Sequence, residues 1–294
     1  MPTSFSAVIL TFDEEINIGD CLRSTAGIDD VFVLDSGSTD ATVSIATARG
    51  ARVHVNPFRS FGQQRNWAHE NLPFAHDWIL HLDADERLTP ALVEEAHEAV
   101  ASDDGTLAGF YLSERTLLRG KWLRRAAHYP RYQARLVHRA RMRFVDHGHG
   151  QRESSALPFG TLANAYDHHA FSHGIETWLR KHAGYAAREV EQILAESTAT
   201  VSVSALWSSN RVAARRAAKQ WAMRMPCRPL LRWLQVLIIS GGVLDGAAGW
   251  EYARMMRVFQ EMIDLCLREG RDKRAVQDLT QTAGDAAAAR KIRI

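Results

Sequence analysis

The chain has 294 residues and a formal net charge of +2, and 46% of its residues are hydrophobic and 24% charged. This is the composition of an ordinary globular protein, long enough for one large domain or for a domain with a helical extension. Cys21, Cys227 and Cys266 lie far apart and suggest neither a disulfide framework nor a cysteine metal site, and a reducing cytosol fits best.

The first 115 residues alternate between strand-like and helix-like patterns. Five apolar runs predict strands: FSAVILTF, VFVLD, ARVHVNPF, WILHLD and GFYLSE. Each of the first four precedes a helical pattern: EEINIGDCLRST, TDATVSIATARG, FGQQRNWAHENL and TPALVEEAHEAVA. The alternation predicts a mostly parallel sheet with helices on both faces, in which ligands bind outside the carboxyl ends of the strands.

The rest of the chain changes character twice. Residues 115 to about 170 are irregular, basic and aromatic, and a helical pattern begins near residue 174. The sequence therefore predicts an α/β domain over residues 1–170 and a helical C-terminal extension over residues 171–294.

Basic residues are segregated along the chain. Between Arg115 and Arg143 there are ten Lys and Arg and no Asp or Glu, and between Ser197 and Leu244 there are seven more, again without an acid. Such segregation indicates a phosphate-bearing ligand or an anionic surface. The alternative is a solvated basic face that acids elsewhere balance.

The segment WILHLDADERLTP ends an apolar strand in Asp83, Asp85 and Glu86. Three carboxylates so close together repel one another, so we expect a metal ion, an arginine cluster or plain solvent beside them. In an extended chain Asp83 and Asp85 project to the same side, where both can address one Mg²⁺ or Mn²⁺ ion. The alternative is an exposed acidic turn before a helix that Thr89 caps, with Pro90 in its first turn.

A second acidic turn, VLDSGSTD, follows the second predicted strand. Asp35 closes that strand, where its carboxylate can accept hydrogen bonds from the N–H of a base or from ribose hydroxyls. Asp40 is better explained as the N-cap of the next helix.

Four segments, in this order, resemble the inverting glycosyltransferases of family 2, which have the GT-A fold. They are VILTFDEEINIGDCLRS with its nucleotide loop, the turn VLDSGSTDAT, the helix start GQQRNWA and the DxD segment WILHLDADERLTPAL. Three further segments extend the resemblance to the branch of lipopolysaccharide-core β-glucosyltransferases: YPRYQARLVHR, WLRKHAGYAAREV and GGVLDGAAGWEYARMMRVFQEMI. The resemblance implies, for residues 1–170, a GT-A type mostly parallel sheet with a Rossmann-like nucleotide-binding half.

The resemblance also implies roles for individual residues. Asp85 matches the acid that coordinates the Mg²⁺ or Mn²⁺ ion bridging the donor diphosphate. Asp13 and Ser36 depart from the family pattern, which usually has Asn and often a second Asp at these positions. The positions matching the family's nucleotide-sugar contacts are Thr11, Phe12, Glu14, Asp35, Arg65 and Asp83.

Inversion by direct displacement needs a general base that deprotonates the acceptor hydroxyl. The branch carries a V-H-E segment for which this chain reads FVDHGHGQRES, with Gly150 or Gln151 in the glutamate position. Neither residue can act as a base. The remaining candidates are Glu153 first, His149 second and then Asp146.

The resulting hypothesis is an enzyme that moves a sugar, with inversion, from a nucleotide donor (most simply a UDP-sugar) to a glycan or lipid-linked acceptor. Its setting is bacterial cell-envelope polysaccharide or lipopolysaccharide biosynthesis. One alternative is a sugar-phosphate nucleotidyltransferase, although TFDEEINIG lacks the Gly-rich basic loop expected after its first strand. Another is a catalytically impaired basic binding protein. No nucleic-acid motif accompanies the arginines, and no nucleic-acid partner is expected.

The C-terminal region combines arginines and tryptophans at helical spacing. Arg211, Arg215 and Arg216 lie in an acid-free stretch with Trp207 and Trp221, which predicts a helix on an anionic membrane surface. The alternative is a helix packed against the catalytic domain. The run WLQVLIISGGVL is uncharged over twelve residues, fewer than the roughly twenty of a spanning helix. These features predict a cytoplasmic protein at the inner face of the plasma membrane.

Overall fold

The structure of the protein, a computed structural model, describes residues 5–147, 150–196 and 227–291. His149 and the three arginines of the predicted membrane helix, Arg211, Arg215 and Arg216, lie outside the described residues. The chain divides into two compact units, Met1–His173 and Gly174–Ile294.

The first unit contains a nine-stranded mixed sheet. Eight strands run in the order β3-β2-β1-β4-β8-β6-β11-β5, and β7 pairs with β6. Two further strands, β9 and β10, form a separate hairpin. The strands are β1 Ser6–Thr11, β2 Val31–Asp35, β3 Arg52–Val55, β4 Trp78–Asp83, β5 Glu86–Arg87, β6 Gly109–Leu118, β7 Lys121–Trp122, β8 Tyr132–His138, β9 Arg143–His147, β10 Gly150–Ser154 and β11 Phe159–His168.

The helices of this unit follow the predicted ones closely. They are α1 Ile18–Ser24, α2 Thr42–Ala48, α3 Phe61–Asn71 and α4 Pro90–Ala101. Thr89 caps α4 as predicted, its side chain accepting a hydrogen bond from Leu92 N. Asp40 lies one residue before the N-cap position of α2, and its Oδ1 accepts the backbone N–H of Thr42 at 2.9 Å.

The sheet is mostly parallel, as predicted. Strands β1 to β4 are parallel to their neighbours among themselves, and β6 is parallel to β11. Only β8 and β5 run antiparallel within this path. Thr11 pairs with Asp35, and Leu10 pairs with Asp83, so the acidic ends of β2 and β4 flank the end of β1 at one edge of the sheet.

Both faces of the sheet are buried, which explains why its central strands read as continuous apolar runs. Val8 and Ile79 pack with Ala68 of α3 on one face. Ile9 and Leu80 belong to the larger core on the other face, together with residues of α1 and α4.

The prediction of irregular structure from 115 to 170 is wrong, because this region contains β7 to β11. Strand β8 was hidden by Arg135, a charged residue at a position that is only 2% exposed. A buried charge is tolerated there because acids of β4 and β5 neutralise it. Strand β10, GQRES, has no apolar residue and so lacks the apolar–polar alternation that identifies a half-buried strand.

The second unit is helical, which agrees with the predicted pattern. Helix α5, Gly174–Glu196, packs on the C-terminal helix, Gly246–Lys291, through Ala186, Val190 and Ile263. Between them lies a bent segment that consists of the helix Arg228–Leu234, a π-helical turn Gln235–Ile239 and a 3-10 turn Gly242–Asp245.

Among the described residues no single helix is long and apolar enough to cross a membrane. One bent pair, Arg228–Ile239 with Gly242–Lys273, meets that length and composition when its two helices are taken together.

Candidate active site

The loops that follow β1 and β2 are tied to each other by hydrogen bonds. Asp13 N donates to Ser38 Oγ at 2.9 Å, and Asp13 Oδ1 accepts from Thr39 N at 2.7 Å. Asp13 has a positive φ of 51°, a conformation that Asp adopts more readily than most residues. The departure from the usual Asn therefore keeps both the turn and its acceptor oxygen.

The three candidate nucleotide contacts of the first loop have different environments. Phe12 is 56% exposed at the loop surface. Thr11 is buried, and its Oγ1 has no hydrogen-bond partner among the described residues. Glu14 Oε2 accepts from Asn17 Nδ2 at 2.6 Å and lies 2.9 Å from His173 Nε2. Only Phe12 has a largely open side chain.

Asp35 serves its own turn. Its Oδ2 accepts the backbone N–H groups of Gly37 and Ser38, each at 2.8 Å, and its Oδ1 accepts from Ser38 Oγ. The residue is only 1% exposed. Contact with a base or a ribose therefore requires this carboxylate to share its lone pairs with the turn.

Asp83 lies between two buried arginines. Arg65 Nη2 donates to Asp83 Oδ1, and Arg135 Nη2 donates to Asp83 Oδ2, each at 2.8 Å. Burial raises the pKa of Asp83, but the two guanidinium groups outweigh this effect and hold the pKa well below its usual range. The sequence predicts a metal ion, an arginine cluster or solvent beside the acidic strand end. For Asp83 it is the arginine cluster.

Glu86 is the second carboxylate of this cluster. It is fully buried, accepts the backbone N–H of Asp83 at 3.0 Å and is paired with Arg135. Burial raises the pKa of Glu86 to about 7. The arginine pair is thus balanced by one fixed carboxylate and by a second that can hold a proton near neutral pH.

Asp85 contacts a histidine from the far end of the sheet. Its Oδ2 lies 3.3 Å from His168 Nε2, because β5 and β11 pair in a register that sets His168 opposite Glu86. His168 Nδ1 lies 3.5 Å from Glu114 Oε1. Burial alone lowers the pKa of His168, but the hydrogen bond to Asp85 and the nearby carboxylate of Glu114 outweigh it and raise the pKa well above its usual value.

Glu114 anchors the far side of this histidine. The side chain is buried and accepts from Gln133 Nε2 at 2.8 Å, from Thr116 Oγ1 at 3.0 Å and from Arg131. Burial raises the pKa of Glu114, but the imidazolium of His168, and after it Arg131 and Thr116, lower it to about 2. Glu114 is therefore a fixed anion that orients His168.

The oxygen of Asp85 and the nitrogen of His168 are spaced as two ligands of a divalent ion, which would have to displace the proton on His168 Nε2, because only neutral imidazole binds a metal. Two adjacent ligands of an octahedral ion at about 2.1 Å are separated by about 3 Å, close to the 3.3 Å between these atoms. No group of three His, Cys, Asp or Glu that could enclose a metal occurs among the described residues. A site of this kind needs further oxygen ligands from a substrate, which is usual for Mg²⁺.

The first candidate base, Glu153, lies on β10 and is hydrogen-bonded to Tyr111 OH. Tyr111 follows Phe110, which is aligned through Leu136 with Leu80, three residues before Asp83. Tyr111, which contacts Glu153, thus lies on β6, two strands from β4. Its neighbour Phe110 is level with a residue of β4 that precedes the acidic strand end.

The third candidate base, Asp146, is engaged at the start of α3. Its Oδ2 accepts from Ser60 Oγ at 2.7 Å, and its Oδ1 accepts from Gly62 N at 3.1 Å. These bonds give Asp146 a structural role at the N-terminus of the helix.

The basic run from 115 to 143 is largely neutralised by ion pairs, some buried and some at the surface. At least six of its ten cations form ion pairs with acids from other segments. The sequence pattern predicts a phosphate ligand or a solvated face for the whole run. It contains no information about partners on other strands. The six pairs are Arg115–Asp167, Arg131–Glu114, Arg135–Asp83, Arg139–Asp77, Arg141–Asp103 and Arg143–Glu70.

Three site residues were not identified from the sequence: His168, Glu114 and Arg135. Arg135 had a usable signal, since it interrupts an otherwise strand-like stretch, YQARLVH. Glu114 closes the predicted strand GFYLSE, and a single acid at a strand end gave no sign of its partner, while His168 stands in a segment with no local pattern of its own.

Comparison with known proteins identifies a family for this chain. Residues 6–156, just over half of the chain, match the family model of glycosyl transferase family 2. The lipopolysaccharide core biosynthesis glycosyltransferase LpsC of Rhizobium meliloti (strain 1021) is 30% identical over 171 residues, or 54% of this chain and 59% of LpsC. An uncharacterized glycosyltransferase of Rickettsia felis is 43% identical over 98 residues, or 33% of this chain and 34% of that protein.

A solved structure is also similar to part of the chain. Glucosyl-3-phosphoglycerate synthase from Mycobacterium tuberculosis, crystallised with Mn²⁺ and UDP-glucose, aligns with a TM-score of 0.33 and 23% identity. The alignment covers 40% of this chain and 44% of the synthase. The chain thus spans less than two thirds of the length of each of these relatives.

The family model and LpsC confirm the resemblance that the four motifs carry, including its lipopolysaccharide-core branch. The sheet order and the helical C-terminal region agree with the GT-A fold class that this resemblance implies. The chain belongs to glycosyl transferase family 2.

Proposed function

We propose that this protein transfers a sugar from a nucleotide-sugar donor, most simply a UDP-sugar, to a glycan or lipid-linked acceptor with inversion at the anomeric carbon. The setting would be bacterial cell-envelope polysaccharide or lipopolysaccharide biosynthesis. The observation that carries the proposal is the strand end of β4, where Asp83 is held by Arg65 and Arg135 while Asp85 faces His168.

The donor would lie across the carboxyl ends of β1, β2 and β4. Its base and ribose would face Thr11, Phe12, Glu14 and Asp35, and its diphosphate would lie near Arg65. Arg65 Nε and Nη1 are buried without a partner among the described residues. Buried donors rarely lack acceptors, and phosphate oxygens are acceptors that suit a guanidinium.

A divalent ion, Mg²⁺ or Mn²⁺, would be held by Asp85 and His168 together with donor phosphate oxygens. When bound, it would stabilise the negative charge that develops on the leaving diphosphate. Asp83 would act differently, because its two oxygens already accept from arginines. It would keep Arg65 and Arg135 aligned beside the donor.

Glu153 would remove the proton from the acceptor hydroxyl, with His149 as the second candidate. Tyr111, whose pKa burial and the contact with Glu153 raise to about 12, remains protonated and can donate to the carboxylate. This contact would orient one oxygen of Glu153 and leave the other for the acceptor.

The test is donor turnover by the whole protein with Mn²⁺ or Mg²⁺. A glycosyltransferase releases UDP from a UDP-sugar in an acceptor-dependent manner, and proton NMR of the new linkage reports inversion. A sugar-phosphate nucleotidyltransferase would instead release pyrophosphate from a nucleoside triphosphate and a sugar phosphate. An impaired binding protein would bind UDP without turnover of any donor.

A further inference from the structure

The second unit exposes a run of large apolar side chains where the chain bends between two helices. Ile239 is 81% exposed, Leu244 is 69% exposed and Ile238 is 65% exposed. No charged residue occurs from Trp233 to Leu244. We call the exposed side chains of this bend the apolar apex; they are Leu230, Leu231, Ile238, Ile239, Val243, Leu244 and Trp250.

The bend has a defined inner side. Val236 and Leu237, which precede the exposed isoleucines directly, are 0% and 3% exposed. The π-helical turn therefore buries two apolar residues and directs the next two to the outside. Large apolar patches exposed in this way mark interaction sites.

Contacts at the base of the bend hold it in shape. Arg228 donates to Asp264 at 3.1 Å and to Gln260 at 3.0 Å, which fastens the helix Arg228–Leu234 to the C-terminal helix. Trp233 and Trp250 meet edge to face with their ring centroids 5.6 Å apart.

Two glycines permit the close turn. Gly241 has a φ of 75°, which favours glycine. A Cβ on Gly249 would lie 1.9 Å from the carbonyl oxygen of Gly242, so no larger residue fits there. The two helices meet at 70°. Because the bend is built from specific contacts, the exposure of its apex belongs to the folded unit.

The chemistry around the apex matches the interfacial zone of a lipid bilayer. Tryptophans such as Trp233 and Trp250 prefer the boundary between head groups and acyl chains. In the sequence, the stretch from Ser197 to Leu244 that leads into the apex has seven Lys and Arg and no acid, a composition that complements anionic head groups. The stretch from 233 to 244 has no charged residue, so it offers no ion pair to a protein partner.

We propose that the apolar apex inserts shallowly into an anionic bilayer and anchors the protein at a membrane surface. Twelve uncharged residues are too few to span the roughly 30 Å hydrocarbon core, so the insertion stops about 5–10 Å deep, at the acyl boundary. The anchor is independent of donor chemistry. It places the attachment on apolar residues of the second unit, beyond the arginine helix that sequence reasoning had suggested.

The test is flotation of the full chain with vesicles of phosphatidylcholine containing phosphatidylglycerol. We expect the wild type to float and to remain partly bound at high salt, because apolar insertion is not screened. The double variant Ile239→Ser/Leu244→Ser should lose about a hundredfold or more in partitioning, since it removes two large apolar side chains from the buried area. Leu265→Ser is the matched control, because Leu265 is 65% exposed on the C-terminal helix, away from the bend in sequence, and its loss should change nothing.

Several results would overturn the anchor. The first is a wild type that does not bind vesicles, and the second is an equal loss of binding in the double variant and in the Leu265→Ser control. The third is binding that high salt abolishes entirely, together with a double variant that binds as the wild type does. A wild-type dimer that the double variant converts to monomer, without vesicle binding, would assign the apex to a second copy of the chain. UDP binding in solution should be the same in all variants, so failure of the anchor and failure of the proposed function are separable.

Discussion

Asp85 Oδ2 lies 3.3 Å from His168 Nε2, although the two residues are 83 positions apart in the sequence. The contact joins the end of β4 to the end of β11, and Glu114 holds the histidine from its other side. This pair is where the proposed function places a divalent ion, and it leads to the first prediction.

Asp85→Asn should abolish Mn²⁺-dependent binding of UDP, because the variant removes the anionic ligand from the pair. His168→Gln should weaken ion binding by about tenfold to a hundredfold, as loss of a ligand or its support does. Isothermal titration of UDP with and without Mn²⁺ measures both effects. Glu94→Gln, which changes an exposed acid of α4, should bind as the wild type does. Normal Mn²⁺-dependent affinity in Asp85→Asn would remove this residue from the metal site.

Arg135→Met should destabilise the fold by about 3–5 kcal/mol, because it leaves the fully buried Glu86 without its cation. Arg143→Met provides the comparison. Arg143 pairs with Glu70 on the surface, where both side chains are about half exposed, so its loss should cost at most about 1 kcal/mol. Urea denaturation gives both values.

The same cluster allows a rescue. Adding Glu86→Gln to Arg135→Met replaces a buried carboxyl with a neutral amide and should recover part of the lost stability. Equal costs for the two arginine variants, or no recovery in the double variant, would mean that the buried pairs contribute no more than surface pairs.

His69 and His81 predict a pH dependence. Their Nε2 atoms are 2.8 Å apart inside the protein. Burial lowers the pKa of His69 to about 3 and that of His81 well below its usual value. An unfolded histidine titrates at about 6.5, so below this pH the unfolded state binds more protons. The free energy of unfolding should therefore fall as pH decreases from about 6.5, by up to about 1.4 kcal/mol per pH unit for each histidine.

Two groups whose pKa is raised, His168 and Glu86, also bear on the stability between pH 4.5 and 6.5, and the direction of each shift decides its effect. His168, with a raised pKa, is protonated in both states below about pH 6.5 and contributes no slope there. Glu86 has a pKa of about 7, so its contribution to the free energy of unfolding increases as pH falls, which partly opposes the effect of the histidine pair. The double variant His69→Leu/His81→Leu isolates the pair. Its stability, measured by urea unfolding between pH 6.5 and 4.5, should fall less steeply than that of the wild type, and an unchanged slope would contradict this account.

Glu153→Gln should reduce turnover by roughly 10²–10⁴-fold with little change in donor affinity, because the base addresses the acceptor and not the diphosphate. Tyr111→Phe removes the bond that orients Glu153 and should have a smaller effect. Steady-state kinetics with UDP titration separates the two parameters. If Glu153→Gln is near wild type while His149→Ala is inactive, the base is His149, and turnover should then rise with pH near neutrality.

Much of the fold could be predicted because its signals are local. The four apolar runs before residue 90, the Thr89 cap and the helices between the strands depend on neighbours a few residues apart. The strands after residue 115 could not be predicted, because β8 buries Arg135, and burial of a charge depends on which acids stand across the sheet. A pattern read along one chain contains no information about those partners.

By itself the sequence determined that carboxylates end two strands of a parallel sheet and that an uncharged run of twelve residues follows a basic stretch. Strand propensity and charge density depend on adjacent residues, so both can be predicted from the sequence. Only the tertiary structure decided that Arg65 and Arg135 face Asp83, that His168 faces Asp85, and that the apolar run forms an exposed bend. These relations depend on strand order, register and packing, which bring together side chains from distant parts of the chain.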